Sequence, residues 1–289
     1  MSPENFVRDL HPRVTENDRK DLCKNMKKKT LTLPILLTIL ALIMVPLCAG
    51  GESAPDSSER AVETVTLDLL LPQEAPVYHL IYDYPYLTGE DSAAVLFNDV
   101  FDSMQREMEN LMLPMLANLA RPEDGEMCVM RQTFTVTCND GDLLSVLFLK
   151  QNETGDGVYY SLEAQTYAMS GEFAGQTLTL RGVIIACDGT GAAEEAIEST
   201  DLLVEELMPV LYDEFTALQQ AGIILPDLDE DDFYDMVYPD SEFFVNPDGT
   251  VSFFFQPEIM TSPSFDVPTF TWTPAQLEAL MNGEAPAEE

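Results

Sequence analysis

An uncharged, apolar run from Leu31 to Cys48, preceded by Lys27, Lys28 and Lys29, divides this chain into two parts of opposite charge. Residues 1–29 hold eight Lys and Arg against five Asp and Glu, a net +3, whereas residues 51–289 hold six against 46, a net −40. A basic flank before a span of roughly 20 apolar residues is the positive-inside arrangement, which keeps the short end in the cytoplasm and places the acidic part outside. A part with this much negative charge repels nucleic acid and anionic lipid surfaces, so no nucleic-acid partner is expected. Membrane contact is expected through residues 30–50 alone.

Three outcomes fit this leader. It is a signal peptide cleaved after a small residue such as Ala49, a lipoprotein signal with Cys48 as the lipid attachment site, or a retained single-pass anchor. Leu47 departs from the small residue a lipobox wants before its cysteine, and Pro34 and Pro46 lie near the two ends, where an anchor tolerates them. Met26 followed by three lysines also reads as a complete start, in which case the first 25 residues are not translated; otherwise residues 1–29 form a short basic tail. The expected location is the cell surface, anchored or secreted, with the C-terminal part outside.

Residues 51–76, with GGESAPDSSER and then an apolar-alternating patch from Val62 to Leu71, read as a linker with one edge strand. Residues 77–282 carry enough Val, Ile, Leu, Phe and Tyr to bury a core, and residues 283–289 are a disordered acidic tail. A β-rich run, Val77 to Tyr84, is expected to end at Pro85. Val100, Met104, Met108, Leu111, Met115 and Leu119 then recur at helical spacing. Four strand-like segments follow (Val129–Cys138, Leu143–Lys150, Val158–Met169 and Thr177–Ala186), the first two joined by the hairpin signal Asn139-Asp140-Gly141.

A second long helix is expected over 192–220, with Ile197, Val204, Leu207, Leu211, Phe215 and Leu218 inward, Pro209 kinking it and Gly222 stopping it. The hairpin turn Asn246-Pro247-Asp248-Gly249 and an extended Phe265–Trp272 come next. Thr273-Pro274-Ala275-Gln276 supplies the cap of a short last helix. The fold class is α+β: an antiparallel meander with two long helices packed on one face, after a single N-terminal membrane or signal helix.

In this order, several segments resemble the extracytoplasmic domain of the RsiV-type anti-sigma factors, which also occurs beside polysaccharide-deacetylase domains. They are Tyr84-Pro85-Tyr86-Leu87-Thr88-Gly89 before a helix carrying Asn98, Leu143 to Val146, Gly175-Gln176-Thr177-Leu178-Thr179-Leu180, and Phe243 to Val245 with Gly249 to Ile259 and Thr271 to Leu277. The resemblance covers about residues 77–281. Gln176 stands where that family has Lys, Gly182-Val183-Ile184 replaces its Asp-Leu-Phe, and a cytoplasmic sigma-binding domain is missing. The resemblance implies a receptor domain rather than a complete anti-sigma factor. Its members act as lysozyme receptors, so lysozyme or another basic protein is the partner it implies.

Little in the chain points to catalysis. His11 lies in the N-terminal tail and His79 in a strand, and carboxylate pairs among 46 acids arise by chance. No enzyme activity, cofactor or metal is expected. Asp227 to Asp232 has the alternating oxygens of a calcium loop but fails at its sixth and twelfth positions, Asp232 and Tyr238; Asn152 to Glu163 reads as a hairpin loop. Cys128 and Cys138 sit roughly 33 Å apart on one continuous strand, too far to bond. A four-strand meander brings Cys128 and Cys187 to one sheet edge, so that pair is the disulfide the topology favours, with reduced thiols as the alternative. The functional expectation is a surface binding module for a basic protein. The alternative is a cell-wall glycan-binding accessory protein that uses Tyr78, Tyr82, Tyr84, Tyr86 and Trp272 as stacking surfaces.

Overall fold

A computed structural model describes residues 60–71, 77–115, 127–171, 173–188 and 201–281. These lie within one compact unit, Ser53–Glu289. The leader, Cys48 and the two tails fall outside the described residues, among which no helix is long and apolar enough to cross a membrane.

Five strands form one sheet in the order β1-β2-β3-β4-β5: Val62–Leu71, Tyr78–Leu87, Cys128–Asn139, Leu143–Thr154 and Gly157–Ala168. The edge strand expected in the linker is β1, paired along all ten residues with β2. The sheet is mixed rather than a pure meander, because β2 and β3 run parallel. Helix α1 (Ser92–Glu107) lies in the connection between them, as a parallel pair requires a long crossover. Pro85 does not end β2. Pairing with β3 stops at Tyr82, so the residue without an N–H sits where β1 alone borders the strand.

The segment expected as a fourth meander strand is instead helix α2, Leu180–Asp188, and a single bridge from Tyr167 to Thr177 remains of the strand. Its apolar residues follow both periods, and Thr179 decides between them: its hydroxyl accepts from the Gly182 amide at 3.1 Å and starts the helix. Leu180, Val183 and Ile184 then share a buried face. Helix α3, Asp201–Gln220, buries Leu207, Leu211 and Phe215 and stops at Gly222, φ 75°, as the 3.6-residue spacing predicts. Helix α4, Glu230–Met236, was not anticipated. A second sheet, β6 (Phe243–Val245), β7 (Val251–Phe254) and β8 (Thr269–Trp272), leads to α5, Pro274–Met281, capped by Thr273 and Gln276 as expected.

The helices do not share one face. Leu144, Val146, Phe148 and Tyr167 point to a core with α1, whereas Leu143 and Ala168 point to the other core, built with α2–α5 and the small sheet. The five-stranded sheet is therefore the middle of three layers. On its second face the buried Ser145 hydroxyl accepts from the Val245 amide at 3.1 Å, which ties β6 to β4.

Two local features set the position of α1. Asn98 is buried and clamps the end of β2, accepting from the Leu87 amide and donating to the Leu87 carbonyl, both at 2.9 Å. After Glu107 the helix takes a π turn, Met108–Met112, which adds a residue per turn. Burial therefore jumps from Met108 to Leu113, and Leu111 and Met115, expected inside, are 50% and 44% exposed.

Gly175 packs against the same helix. Its φ is 85°, and a Cβ there would lie 2.5 Å from the Cβ of Leu96 and 3.2 Å from the Ala93 carbonyl oxygen. Neither neighbour is the far end of a flexible chain. Gly175→Ala is expected to lose about 3 kcal/mol through overpacking and a left-handed backbone, measured as the shift in urea midpoint; a loss below about 1 kcal/mol would show that α1 can retreat from the turn.

Candidate functional site

The residues singled out by sequence are mostly structural. His79 Nε2 lies 2.8 Å from Asp68 Oδ1 on the neighbouring strand. Of the five candidate stacking rings, Tyr78 and Tyr84 are buried, Tyr82 and Trp272 are packed against the two cores, and Tyr86 is exposed. Asp229 and Asp232 cap α4 reciprocally: Asp229 Oδ1 accepts from the Asp232 amide at 3.1 Å, and Asp232 Oδ2 from the Asp229 amide at 3.2 Å. The calcium-like spacing is thus a helix start, with Glu230, Asp231 and Asp232 in its first turn where the helix dipole favours them. Thr154 to Gly157 is the tight turn between β4 and β5, as expected, and Glu163 faces away to Lys150.

Cys128 is partly buried at the start of β3, and Cys138 is buried near its end. A Cys128–Cys187 disulfide was favoured only by a fourth strand, and the backbone of Cys187 is in α2 instead. Burial, with Asp156 nearby, pushes the Cys128 thiol up and so favours its protonated form.

On the α1 face, polar side chains form a row across the sheet. Tyr82, Gln132 and Lys150 are register partners on β2, β3 and β4. Lys150 pairs with Glu163 on β5, Gln165 donates to Glu163 at 2.7 Å, and the Tyr167 hydroxyl donates to Gln165. Burial pushes the Glu163 carboxyl up, but the Lys150 ammonium and the bonds from Lys150 and Gln165 outweigh it and hold the carboxyl below its ordinary range. Burial and the Glu163 charge push Tyr82 up to about 12 and Tyr167 higher still. The row thus spans four strands, with a phenol held protonated at each end and a paired acid between them.

Two of the described cations, Arg60 and Lys150, form ion pairs within the fold. Arg60 bridges Asp91 Oδ2 at 2.5 Å and the Met169 carbonyl at 3.0 Å, fastening the start of β1 to the cap of α1 and the end of β5. Its backbone N–H donates to Asn139 Oδ1 at 3.1 Å, and Asn139 returns a bond to the Arg60 carbonyl at 2.7 Å.

The second layer carries the two features with chemical potential. Glu242, 6% exposed, accepts from the Tyr238 amide and from Gln256 Nε2, each at 2.9 Å. The same Gln256 amide accepts from Leu162 N and donates to Leu162 O, both at 3.0 Å, so a side chain pairs the open edge of β5. Burial raises the Glu242 carboxyl to about 7; its two hydrogen bonds oppose this, and Glu258 and Asp240 add to it.

Beside this network, a groove of about 470 Å³ opens between α3 and α4. It is lined by Val204, Glu205, Met208, Tyr234, Val237, Tyr238, Pro239 and Asp240. Tyr234 and Tyr238 are 46% and 53% exposed. The sequence reading misses this groove, because it weighs Asp227 to Asp232 only as a failed calcium loop; the capping pair Asp229 and Asp232 before Phe233 is the signal that reveals the helix.

The geometry defines an α+β protein with a mixed, largely antiparallel sheet between two helical layers. No family model matches the chain, and no curated protein matches it. Among solved structures it is similar to a DUF3298 family member from Bacteroides fragilis, at 14% identity and TM-score 0.36, over 78% of this chain and 97% of that one. It is also similar to a DUF3298 family protein from Pseudomonas aeruginosa, at 12% identity and TM-score 0.41, over 80% and 99%.

Proposed function

We propose that this chain is a non-enzymatic surface module of the RsiV-like kind, membrane-tethered or exported, that captures a basic protein; the resemblance stated above makes lysozyme the first candidate. The observation that carries this reading is the uncompensated charge. Residues 51–289 hold a net −40, and two of their six cations, Arg60 and Lys150, are spent on Asp91 and Glu163 inside the fold. Such a field accelerates encounter with cationic proteins and disfavours anionic partners.

The test is binding of the full chain in mild detergent to lysozyme and to an unrelated basic protein of similar charge, at low and high salt. Attraction between exposed charges is screened beyond about 8 Å at physiological ionic strength, so a nonspecific field loses its hold in high salt. The expected result is selective binding to lysozyme or another wall-active basic protein that persists at high salt. Equal, salt-abolished binding to both proteins would overturn the reading, and capture of wall fragments instead would favour the glycan-binding alternative.

A further inference from the structure

We propose that the groove between α3 and α4 docks an arginine side chain of a cationic protein partner, with Tyr234 and Tyr238 supplying ring surfaces and Glu205 and Asp240 the counter-charge. This rests on the reading that the partner is basic, and it adds the seat and the residue type.

The groove combines the three things a guanidinium uses. Its apolar lining, Val204, Met208 and Val237, suits the methylene stem of a long cationic side chain. Its rings are fixed in place: Tyr234 stacks on Tyr212 at 6.4 Å and 21° and meets Phe233 edge-on at 5.2 Å, and the Tyr238 hydroxyl donates to the Asp235 carbonyl at 2.7 Å. Both rings nevertheless remain half exposed, which a planar cation can exploit by stacking.

Charge selects the occupant. Two of the lining residues are acids, and none of the described cations, Arg60, Arg106, Arg131, Lys150 and Arg181, lines the groove. Burial raises the Tyr238 phenol, and the nearby Asp235, Glu242 and Asp240 carboxylates add to it, so acidic groups lie close to the groove wall. The stretch outside the described residues that is nearest to the groove residues in sequence, 189–200, contains Glu194, Glu195 and Glu198 and no Lys or Arg, so its charge disfavours it as the occupant. A second copy of so acidic a chain is disfavoured for the same reason.

The experiment uses the full chain in mild detergent and fluorescently labelled hexa-arginine and hexa-lysine peptides, read by anisotropy. The variants are the pair Tyr234→Leu and Tyr238→Leu, the ring-preserving pair Tyr234→Phe and Tyr238→Phe, and the pair Glu205→Gln and Asp240→Asn. A charge-matched control, Asp99→Asn with Asp102→Asn, lies on the exposed side of α1. The parent is expected to prefer hexa-arginine, and the leucine pair to weaken it roughly tenfold while the phenylalanine pair retains it. The Glu205 and Asp240 pair is expected to lose more than its control. A photo-cross-linker at Pro239 should capture the peptide.

Unchanged affinity in the leucine pair, equal losses in the two charge-removed pairs, or cross-linking to residues 189–200 or to a second copy would each overturn the groove assignment. A parent chain that binds neither peptide and no basic protein would overturn the functional reading itself, so the two failures are distinguishable.

Discussion

Phe97→Ala is expected to lose about 4 kcal/mol of folding stability, the largest single-residue effect expected in this fold. Phe97 is fully buried at the centre of α1, with its ring 4.8 Å from Tyr167 in an edge-on contact and 4.9 Å from Phe101. Three sources add up: the lost transfer energy of a phenyl ring, the cavity left between a helix and a sheet that cannot both collapse, and the loss of two oriented ring contacts. Among the described residues α1 is the helix that covers this face of the sheet, so no other described helix can fill the space. Urea denaturation should show a lower midpoint with an unchanged slope. Val95→Ala, on the exposed side of the same helix, should change stability by no more than about 0.5 kcal/mol. A Phe97→Ala loss under about 1.5 kcal/mol would mean that the α1 layer is loosely packed.

The second large effect is a pH dependence centred on Glu242. Its carboxyl is raised from an ordinary 4.5 to about 7 in the folded protein, so the native state holds a proton that the unfolded chain releases between those values. Stability from this group is fully present below pH 4.5 and is lost as pH rises through about 7. The loss is at most about 3 kcal/mol at pH 8, since each tenfold gain in proton affinity on folding corresponds to about 1.4 kcal/mol. Burial raises the neighbouring Glu258 as well, so it acts in the same direction, and Asp240 adds repulsion as Glu242 ionises. Asp91 and Glu163, held low, act in a more acidic window: their contribution is present above their unfolded values and disappears as pH falls through the folded ones. Between pH 5 and pH 8 the urea midpoint should therefore fall for the parent and fall much less for Glu242→Gln. Identical declines in the two proteins would show that ionised Glu242 is already accommodated by Tyr238 and Gln256.

The Glu242 network also bears on the groove. Tyr238 supplies the amide that Glu242 accepts and the ring that lines the groove, so ionisation of the carboxyl and the position of the ring share one residue.

Some elements were legible in the sequence because their causes are local. Asn139-Asp140-Gly141 made its turn, with Asp140 Oδ1 accepting from the Asp142 and Leu143 amides at 3.0 and 2.8 Å. Thr273 and Gln276 made their capping box, and the 3.6-residue spacing of Leu207, Leu211 and Phe215 gave the inner face of α3. Turns, caps and amphipathic stripes depend on residues a few positions apart, so one chain suffices to read them. Where two local patterns competed, as in Thr177–Ala186, the strand reading was wrong and the Thr179 hydroxyl was the deciding atom.

What the sequence determined alone is the charge division, the apolar run before it, the α+β class and most of the turn and cap positions. The tertiary structure decided the rest: the parallel step between β2 and β3, the split of the helices over two faces, the π turn that exposes Leu111 and Met115, and the meeting of α3 and α4 in an acidic, tyrosine-lined groove. The physical reason is distance along the chain. Val204 and Tyr238, or Leu162 and Gln256, become neighbours only through the burial of two cores on opposite sides of one sheet, and that burial is a sum over many side chains that no local motif encodes.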